Sequence, residues 1–234
     1  MPDFIVPALQ QNEIHIWQMP ILKYVSQYDY FRSLLSPDEI KRANRYIHPE
    51  HGREFSLVRG YLRYILAQYL DKSPEKFIFH YNPQRKPSLK EGLHFNLSHS
   101  HEQVVMAFSR DYEVGIDLEY MDTSIDTDML AERFFADEEV QKIQAYQGDM
   151  RRQAFFKCWT GKEAYVKVCG EGLFMPLKQF VVDVNPAKPA KLLAVHDNPA
   201  AMQTYTLQSI HVSNDYAATL AVAGHDFSIV EVAL

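Results

Sequence analysis

The sequence predicts an α+β protein in which helices pack on mostly antiparallel sheets. Three observations predict this class: one long helical pattern in each half, several short runs that alternate apolar and polar residues, and the polar stretch MDTSIDTD between the halves. Periods of 3.6 and 2 are typical of helices and strands. Because both patterns occur on each side of MDTSIDTD, we expect two domains, residues 1–121 and 122–234.

The first half begins with one strand pattern and continues with two helices and then four further strands. Ser36, Pro37 and Glu39 occupy the N-cap, N1 and N3 positions of a capping box, which predicts a helix over SPDEIKRANRYI. The next segment, HGREFSLVRGYLRYILAQYL, has apolar residues at helical spacing. The predicted strands of this half are NEIHIWQM, KFIFHYN, LHFNLSHS, QVVMAFS and YEVGIDLEY.

In the second half all the predicted helices come first and the strands follow. Its predicted helices are DMLAERFF, ADEEVQKIQAY and the segment containing FFKCWTGKEAYVK. Its predicted strands are KQFVVDV, KLLAVH, TYTLQSIHV, YAATLAVAG and FSIVEVAL. This order of separated helices and strands favours α+β over an alternating α/β arrangement.

Composition excludes several classes of protein. The 234 residues are 47% hydrophobic and 23% charged, as in an ordinary globular protein, and the net charge of -6 disfavours a general nucleic-acid binder. No apolar run reaches the roughly 18 residues of a membrane helix, and the N-terminus lacks a signal-peptide pattern. Cys158 and Cys169 fall in one predicted helix, which gives no disulfide framework. We expect a cytoplasmic monomer without a membrane or nucleic-acid partner.

Two carboxylates stand on one face of the strand VGIDLE. Asp117 and Glu119 are separated by one residue, so the period of a strand places them about 6–7 Å apart on the same side. That spacing suits one hard cation with oxygen ligands. Gly115, on the same face, is expected to leave room for a ligand near the backbone. The alternative is a solvated acidic face on a half-exposed strand.

The helix FFKCWTGKEAYVK carries charges within its apolar arc. Glu163 lies between Trp159 and Phe156 on the helix surface, and Lys167 follows Glu163 at i+4. One interpretation is a surface pair of Glu163 with Lys167, with Lys162 turned outward. The other adds Glu163 to Asp117 and Glu119 as the third carboxylate of a magnesium site.

Magnesium held by carboxylates usually serves phosphate chemistry, so cations near it are candidates for phosphate binding. Such cations occur in three groups: Lys41, Arg42 and Arg45; Arg59 and Arg63; and Arg85 and Lys86. Taken singly, each is also consistent with a solvated surface residue.

The stretch FNLSHSHE is a further candidate for anion binding. Ser98, His99 and Ser100 are predicted at a turn between two apolar strands, where amides and side chains can hold an anion. His94, His99 and His101 do not indicate zinc, because no further His or Cys follows at a convergent spacing.

Three motifs in this order, FNLSHS, VGIDLE and FFKCWTGKEAYVK, resemble those of the Sfp-type 4′-phosphopantetheinyl transferases. The resemblance runs from about Arg42 to Val182 and includes SLVRGYLRYIL and GEGL. It implies a fold of two similar α+β lobes, a pseudo-dimer, with coenzyme A bound in the cleft between them. One departure is Arg85, which stands where the family more often has glycine before Lys-Pro.

The resemblance also implies an activity and its residues. The family moves the phosphopantetheine arm of coenzyme A onto a serine of an acyl or peptidyl carrier protein and releases adenosine 3′,5′-bisphosphate. Asp117, Glu119 and Glu163 match its Mg²⁺ ligands, with Glu163 also the favoured base and Lys167 the lysine that steadies phosphate charge. The positions that match coenzyme contacts are Arg42, Arg45, Arg59, Lys86, Ser98, His99, Asp117 and Lys167.

Two other functions use the same residues. A magnesium-dependent phosphodiesterase or nucleotide hydrolase would release adenosine bisphosphate from coenzyme A without a carrier. A non-catalytic module that binds coenzyme A or a carrier would need no base. The pairing of Glu163 with Lys167 counts against the binding module, whereas a test of carrier dependence separates the transferase from the hydrolase. The natural carrier could belong to fatty acid, polyketide or nonribosomal peptide synthesis.

Overall fold

Two helices of equal length, one from each half, frame the fold of this chain. The computed structural model describes residues 5–172 and 175–232. The helices are α1 (Tyr28–Ser33), α2 (Pro37–Ala43), α3 (Pro49–Leu70), α4 (Thr127–Phe134), α5 (Asp137–Gln144) and α6 (Gly148–Cys169). The strands are β1 (Glu13–Pro20), β2 (His80–Tyr81), β3 (Pro87–Ser88), β4 (His94–Ser100), β5 (Gln103–Ser109), β6 (Val114–Tyr120), β7 (Phe180–Val182), β8 (Leu192–Val195), β9 (Tyr205–Ser209), β10 (Tyr216–Ala223) and β11 (Ser228–Val232).

Local sequence signals set the helix limits. The capping box is confirmed at α2, where the Ser36 amide donates to Glu39 Oε2 at 3.0 Å. That helix ends at Ala43, earlier than SPDEIKRANRYI predicts. The ends of α3 and α6 are left-handed residues, Asp71 with φ 46° and Gly170 with φ 73°, which stop the helical hydrogen-bond pattern.

The main sheets lie face to face between the two long helices. The order of the first sheet is β11-β1-β5-β4, and that of the second is β6-β10-β9. Alternate residues of β1 explain the layers: Trp17 joins the core under α3, whereas Ile16 packs with Ile116 between the sheets. On the far side of the second sheet, Ala221 packs in the core of α6. The layers therefore run α3, first sheet, second sheet, α6.

The mixed α+β class with antiparallel sheets is confirmed. Only the β1–β11 pair is parallel among the described strands, and the other pairs are antiparallel. Strand pairing crosses the predicted boundary after residue 121, because β6 pairs with β10 and β11 pairs with β1. The two-lobe division with its limits 1–121 and 122–234 stays a prediction.

Two local predictions were wrong. The stretch KFIFHYN forms a strand only at His80 and Tyr81, because Phe77 turns inward to the α3 core and the backbone before His80 makes no ladder. Ser98 to Ser100 also lie within β4 and not at a turn, which falls at His101 and Glu102. Leu173 of the GEGL stretch lies outside the described residues.

No helix within residues 5–172 and 175–232 combines the length and the apolar character that a membrane span requires.

Candidate active site

The edges of the two main sheets meet along a seam of side-chain hydrogen bonds. Both β4 and β6 are edge strands, and Asn96 Oδ1 of β4 accepts from the Ile116 amide at 2.8 Å. Further along, Ser100 Oγ accepts from the Tyr120 amide at 3.0 Å. Polar side chains of β4 thus satisfy backbone donors that β6 would otherwise expose at its edge. The seam holds the SHS segment beside the VGIDLE strand.

Two serines of β4 reach two carboxylates of β6 across this seam. Ser98 Oγ donates to Asp117 Oδ1 at 3.0 Å, and Ser100 Oγ donates to Glu119 Oε2 at 3.1 Å. Side chains on one face of a strand are two residues apart, so the spacing of Ser98 and Ser100 on β4 matches the spacing of Asp117 and Glu119 on β6. The structure therefore brings Ser98, Asp117 and Glu119 together, and it places Asp117 in a buried position.

Lys167 of α6 completes this cluster from the opposite side. Its Nζ lies 2.6 Å from Asp117 Oδ1 and also donates to Ser98 Oγ and to the Ile116 carbonyl, each at 3.1 Å. The i+4 spacing predicts a contact with Glu163, but the ion pair that forms is with Asp117. Lys167 therefore links the helix motif to both strand motifs, which are about 50 to 70 residues away in the chain.

Gly115 has a different role from the predicted one. A Cβ atom there would stand 2.3 Å from the Ala164 carbonyl oxygen and 2.4 Å from the Val168 amide nitrogen. The space that we expect to be open to a ligand is filled by the backbone of α6. Glycine at this position lets the helix approach the strand closely, and that approach delivers Lys167 to Asp117.

Burial and mutual repulsion alter the acidity of the two glutamates. Desolvation raises the pKa of Glu163 above its ordinary value, and the nearby charge of Asp117 raises it further, against the lowering effect of Lys167. The pKa of Glu119 is raised by the same two causes in the same order. Because Asp117 affects both, the three carboxylates share one electrostatic site. A glutamate with a raised pKa is a stronger proton acceptor than an exposed one.

The carboxylates fit a hard cation in their chemistry. All three supply oxygen ligands, and the buried Asp117 Oδ2 has no hydrogen-bond partner among the described residues. In residues 5–172 and 175–232, however, no group of three His, Cys, Asp or Glu side chains is gathered closely enough to hold a metal ion. Lys167 provides the positive charge beside Asp117 in this arrangement. The magnesium assignment to Asp117, Glu119 and Glu163 stays a prediction.

Lys162 points into the protein and not outward. Its Nζ lies 2.8 Å from Glu139 Oε2, and both side chains are 0% exposed. It also donates to the carbonyls of Leu177 at 2.8 Å and Phe180 at 2.5 Å. Sequence reasoning gave Lys162 no partner and missed Glu139. The available signal was Glu139 at the N3 position of a helix, where it accepts from the Ala136 amide at 2.9 Å.

A cavity of about 500 Å³ lies beside the seam, on the other face of β4. Arg42 and Arg59 line it from the helices, and His99 lines it from β4. Because side chains alternate along a strand, His99 faces this cavity whereas Ser98 faces Asp117. Ser100 both lines the cavity and contacts Glu119, so the cavity adjoins the carboxylate cluster.

The other predicted cations lie elsewhere. Arg45 is exposed and does not line this cavity. Lys86 lies in a second cavity of about 510 Å³, and its Nζ contacts Glu113 Oε2 at 3.0 Å. Arg63 is buried, with Nε 2.7 Å from Glu39 Oε2, so it stabilises the helices and does not face a ligand.

Comparison with known proteins places this chain in a family. The family model described as the 4′-phosphopantetheinyl transferase superfamily matches residues 113–221, which include β6, α6 and most of β10. The chain is 37% identical over 222 residues to the 4′-phosphopantetheinyl transferase HetI of Nostoc sp., covering 93% of this chain and 90% of HetI. It is 30% identical over 201 residues to Sfp of Bacillus subtilis, covering 84% of this chain and 86% of Sfp.

The chain therefore belongs to the Sfp-type 4′-phosphopantetheinyl transferases and is an enzyme of the transferase class. A third relative, psf-1 of Bacillus pumilus, is 32% identical over 184 residues and covers 77% of this chain and 78% of its own length. Among solved structures, an apo-ACPS from Chronobacterium ammoiniagenes matches with a TM-score of 0.37 and 18% identity, over 47% of this chain and 94% of that one. A likeness of that size supports no conclusion about this chain.

Proposed function

We propose that this protein transfers the 4′-phosphopantetheine arm of coenzyme A to a serine of an apo carrier protein and releases adenosine 3′,5′-bisphosphate. The carrier is an acyl or peptidyl carrier protein domain of fatty acid, polyketide or nonribosomal peptide synthesis. The observation that carries the proposal is the Lys167–Asp117 pair beside Glu163, a glutamate whose pKa is raised, in a chain of this family.

Glu163 is the proposed general base. The serine hydroxyl of the carrier must lose its proton as its oxygen bonds to the β-phosphorus of coenzyme A, and the Glu163 carboxylate takes that proton. The bond from the β-phosphorus to the bridging oxygen then breaks, and the electron pair leaves with adenosine 3′,5′-bisphosphate. The raised pKa of Glu163 suits this role, because it makes the carboxylate more basic at the reaction pH.

Lys167 is the proposed electrostatic partner of the phosphates. Charge grows on the bridging and non-bridging oxygens as the phosphorus–oxygen bond breaks, and a fixed ammonium stabilises that charge. Asp117 and Ser98 hold the Lys167 ammonium in place with contacts of 2.6 and 3.1 Å. Lys167 is 27% exposed, so its ammonium remains accessible to a substrate from the cleft side.

Asp117, Glu119 and Glu163 are the proposed holders of Mg²⁺. When bound, the ion would neutralise charge on the pyrophosphate. The oxygen donor set and the unpartnered Asp117 Oδ2 support this assignment. Arg42, Arg45, Arg59, Lys86, Ser98 and His99 remain the proposed contacts of coenzyme A.

We also propose that the two halves act as similar lobes, with the seam of β4 and β6 at the floor of the cleft between them. Each main sheet carries a 22-residue helix, α3 or α6, on its outer face, which supports such a pseudo-dimer. The protein is proposed to act as a cytoplasmic monomer.

A panel of apo carrier proteins tests the function. Each is incubated with the protein, coenzyme A and Mg²⁺, and mass spectrometry measures the gain of the phosphopantetheine arm on the carrier. We expect the gain on at least one carrier and its near loss in Asp117→Ala. Release of adenosine bisphosphate without a carrier would identify a hydrolase instead. Full transfer by Asp117→Ala would contradict the assigned site.

A further inference from the structure

Ser100 lies beside the carboxylate cluster, but the proposed reaction gives it no role. Its hydroxyl oxygen accepts from the Tyr120 amide at 3.0 Å and donates to Glu119 Oε2 at 3.1 Å. Glu119 and Tyr120 are consecutive residues of β6. These two bonds therefore connect the side chain of Glu119 to the backbone of its own strand through Ser100.

The proton of the Ser100 hydroxyl has a fixed direction. A hydroxyl carries one proton and two lone pairs, whereas an amide N–H can only donate. The bond from the Tyr120 amide uses a lone pair of Ser100 Oγ and leaves the proton for Glu119. A hydrogen bond to an ionised acceptor is stronger than one between neutral groups. The backbone of β6 thus sets the direction in which Ser100 donates.

Ser98 makes the same pattern of bonds with a different donor. Its hydroxyl accepts from Lys167 Nζ at 3.1 Å and donates to Asp117 Oδ1 at 3.0 Å. Lys167 is a side chain proposed to stabilise phosphate charge, so binding of coenzyme A competes for its ammonium. The Tyr120 amide belongs to a strand paired with β10 and does not reorient in this way. Ser100 is therefore the anchor that keeps its bonds when the coenzyme is bound.

Glu119 needs this anchor more than Asp117 needs Ser98. Asp117 is buried and has an ion pair with Lys167 at 2.6 Å. Glu119 is half-buried and forms no ion pair in the part of the chain that the structure describes. A glutamate also has a longer side chain than an aspartate, and ordering it costs conformational entropy. The bond from Ser100 holds the Glu119 carboxylate before any substrate arrives.

A direct contact with coenzyme A is the alternative role for Ser100, because Ser100 also lines the cavity of Arg42 and Arg59. Phosphate oxygens are acceptors, so a contact with phosphate would need the hydroxyl proton. That proton is already donated to Glu119. The observed bonds therefore favour positioning of the carboxylate over binding of the coenzyme.

We infer that Ser100 is a positioning residue that holds Glu119 in the orientation required for transfer. This inference rests on the proposed function, in which Glu119 belongs to the carboxylate site. Groups that hydrogen-bond to metal-binding side chains typically contribute about 10–100-fold to metal affinity or activity. An effect of that size on kcat is expected when Ser100 loses its hydroxyl.

The test compares Ser100→Ala, which removes the hydroxyl, with Ser100→Thr, which keeps it on a strand where β-branched residues are favoured. In transfer assays, Ser100→Ala should lower kcat about 10–100-fold and leave KM for coenzyme A nearly unchanged. Ser100→Thr should restore most of kcat. Carboxyl ¹³C NMR of the metal-free protein at constant pH gives a readout that does not depend on activity. The Glu119 signal should move in Ser100→Ala and return toward its wild-type position in Ser100→Thr.

Ser109→Ala is the matched control for loss of a serine that bonds to the backbone. Ser109 is buried at the end of β5, donates to the Glu13 carbonyl and accepts from the Asp111 and Tyr112 amides, each at 3.3 Å. Its replacement should lower Tm and leave both kcat and the Glu119 signal unchanged.

Three results would overturn the inference. A higher KM for coenzyme A with unchanged kcat in Ser100→Ala would make Ser100 a coenzyme contact. An unmoved Glu119 signal would show that Ser100 does not hold this carboxylate, and a loss of kcat that Ser100→Thr does not restore would show that the hydroxyl is not the cause. If the wild type transfers the arm to no carrier, the proposed function is wrong, and the NMR comparison still reports separately on the contact of Ser100 with Glu119.

Discussion

Lys162 and Lys167 lie on the same helix, and each forms a short ion pair, but their surroundings differ. Lys162 pairs with Glu139 at 2.8 Å, and both side chains are 0% exposed. Lys167 pairs with Asp117 at 2.6 Å and remains 27% exposed. Distance and residue type therefore do not separate the two pairs. What separates them is how completely each group is satisfied by its neighbours.

In the buried Lys162–Glu139 pair, both charged groups have further hydrogen-bond partners. Lys162 donates to two backbone carbonyls besides Glu139, and Glu139 accepts from the Val182 and Ala136 amides. The Lys167–Asp117 pair at the seam differs, because Asp117 Oδ2 has no hydrogen-bond partner among the described residues. The charge of Asp117 also raises the pKa of the neighbouring carboxyl groups. A satisfied buried network fixes structure, whereas unsatisfied, repelling groups are typical of a site that binds something.

The largest expected effect comes from breaking the satisfied pair. Lys162→Met leaves the Glu139 carboxylate buried without its cation, and loss of one partner of a buried pair costs about 3–5 kcal/mol of unfolding free energy. Chemical denaturation measures this loss. The double variant Lys162→Met with Glu139→Gln removes both charges and keeps an acceptor for the two amides. We expect it to recover much of the loss, and equal stability of Lys162→Met and wild type would show that this pair does not hold the fold.

The matched change at the seam should affect chemistry more than stability. Lys167→Met removes the cation proposed to face the phosphates, and the transfer rate should fall by about 10²–10³-fold, as for other preorganised charge-stabilising groups. The unfolding free energy should fall by less than in Lys162→Met, because Lys167 is 27% exposed and Ser98 still donates to Asp117. The measurements are carrier mass gain over time and denaturation. If Lys167→Met lost as much stability as Lys162→Met and still transferred the arm, the Lys167 pair would be structural and the contrast between the two pairs would be wrong.

Local patterns were enough to predict the parts of this site. The period of a strand places Asp117 and Glu119 on one face of β6, and the period of a helix places Glu163 and Lys167 one turn apart on α6. The capping box at Ser36 and Glu39 fixes the start of α2 in the same local way. Each of these follows from backbone geometry over a few residues, and motif order linked them to one family.

Partners that come from distant segments were beyond the sequence. Glu139 reaches Lys162 from another helix. Lys167 forms its ion pair with Asp117 of β6 and not with Glu163, the i+4 neighbour that the helix pattern favours. The space beside Gly115 was predicted to be open. Strand periodicity shows on which face Gly115 lies, but it does not show that α6 packs against that face. These contacts depend on how the sheets and helices stack, and that stacking is not encoded in the local period.

A smaller effect should appear when the base is neutralised. The pKa of Glu163 is raised in the folded protein, so the folded state holds the proton more tightly than the unfolded state. Its stabilising contribution is complete below the unfolded pKa of about 4.3 and is lost as pH rises through the higher folded pKa. Glu163→Gln should therefore be more stable than wild type at pH 7 by about 0.5–2 kcal/mol.

The Glu163→Gln comparison is made by denaturation in chelator, so that divalent ions do not bind the carboxylates. The advantage of the variant should shrink as the pH falls below the folded pKa of Glu163. A wild type that is the more stable protein at pH 7 would mean that the Glu163 charge is favourably paired. The carboxylates at the seam would then be stabilised by their neighbours, as the Lys162–Glu139 pair is, and the proposed contrast between the two sites would be wrong.

The smallest expected effect is a shift in the pKa of Glu163. Asp117→Asn removes the negative charge that helps to raise the pKa of Glu163, and it frees Lys167, whose positive charge lowers that pKa. Both consequences act in the same direction, so the pKa of Glu163 should fall in the variant. Carboxyl ¹³C NMR in metal-free buffer follows it, with Glu113→Gln, at the separate Lys86 pair, as a control that should leave it unchanged. Because burial is the largest cause of the raised value, Glu163 should still titrate above an exposed glutamate. A pKa that stays fixed in Asp117→Asn would mean that burial alone sets it and that the carboxylates do not act as one site.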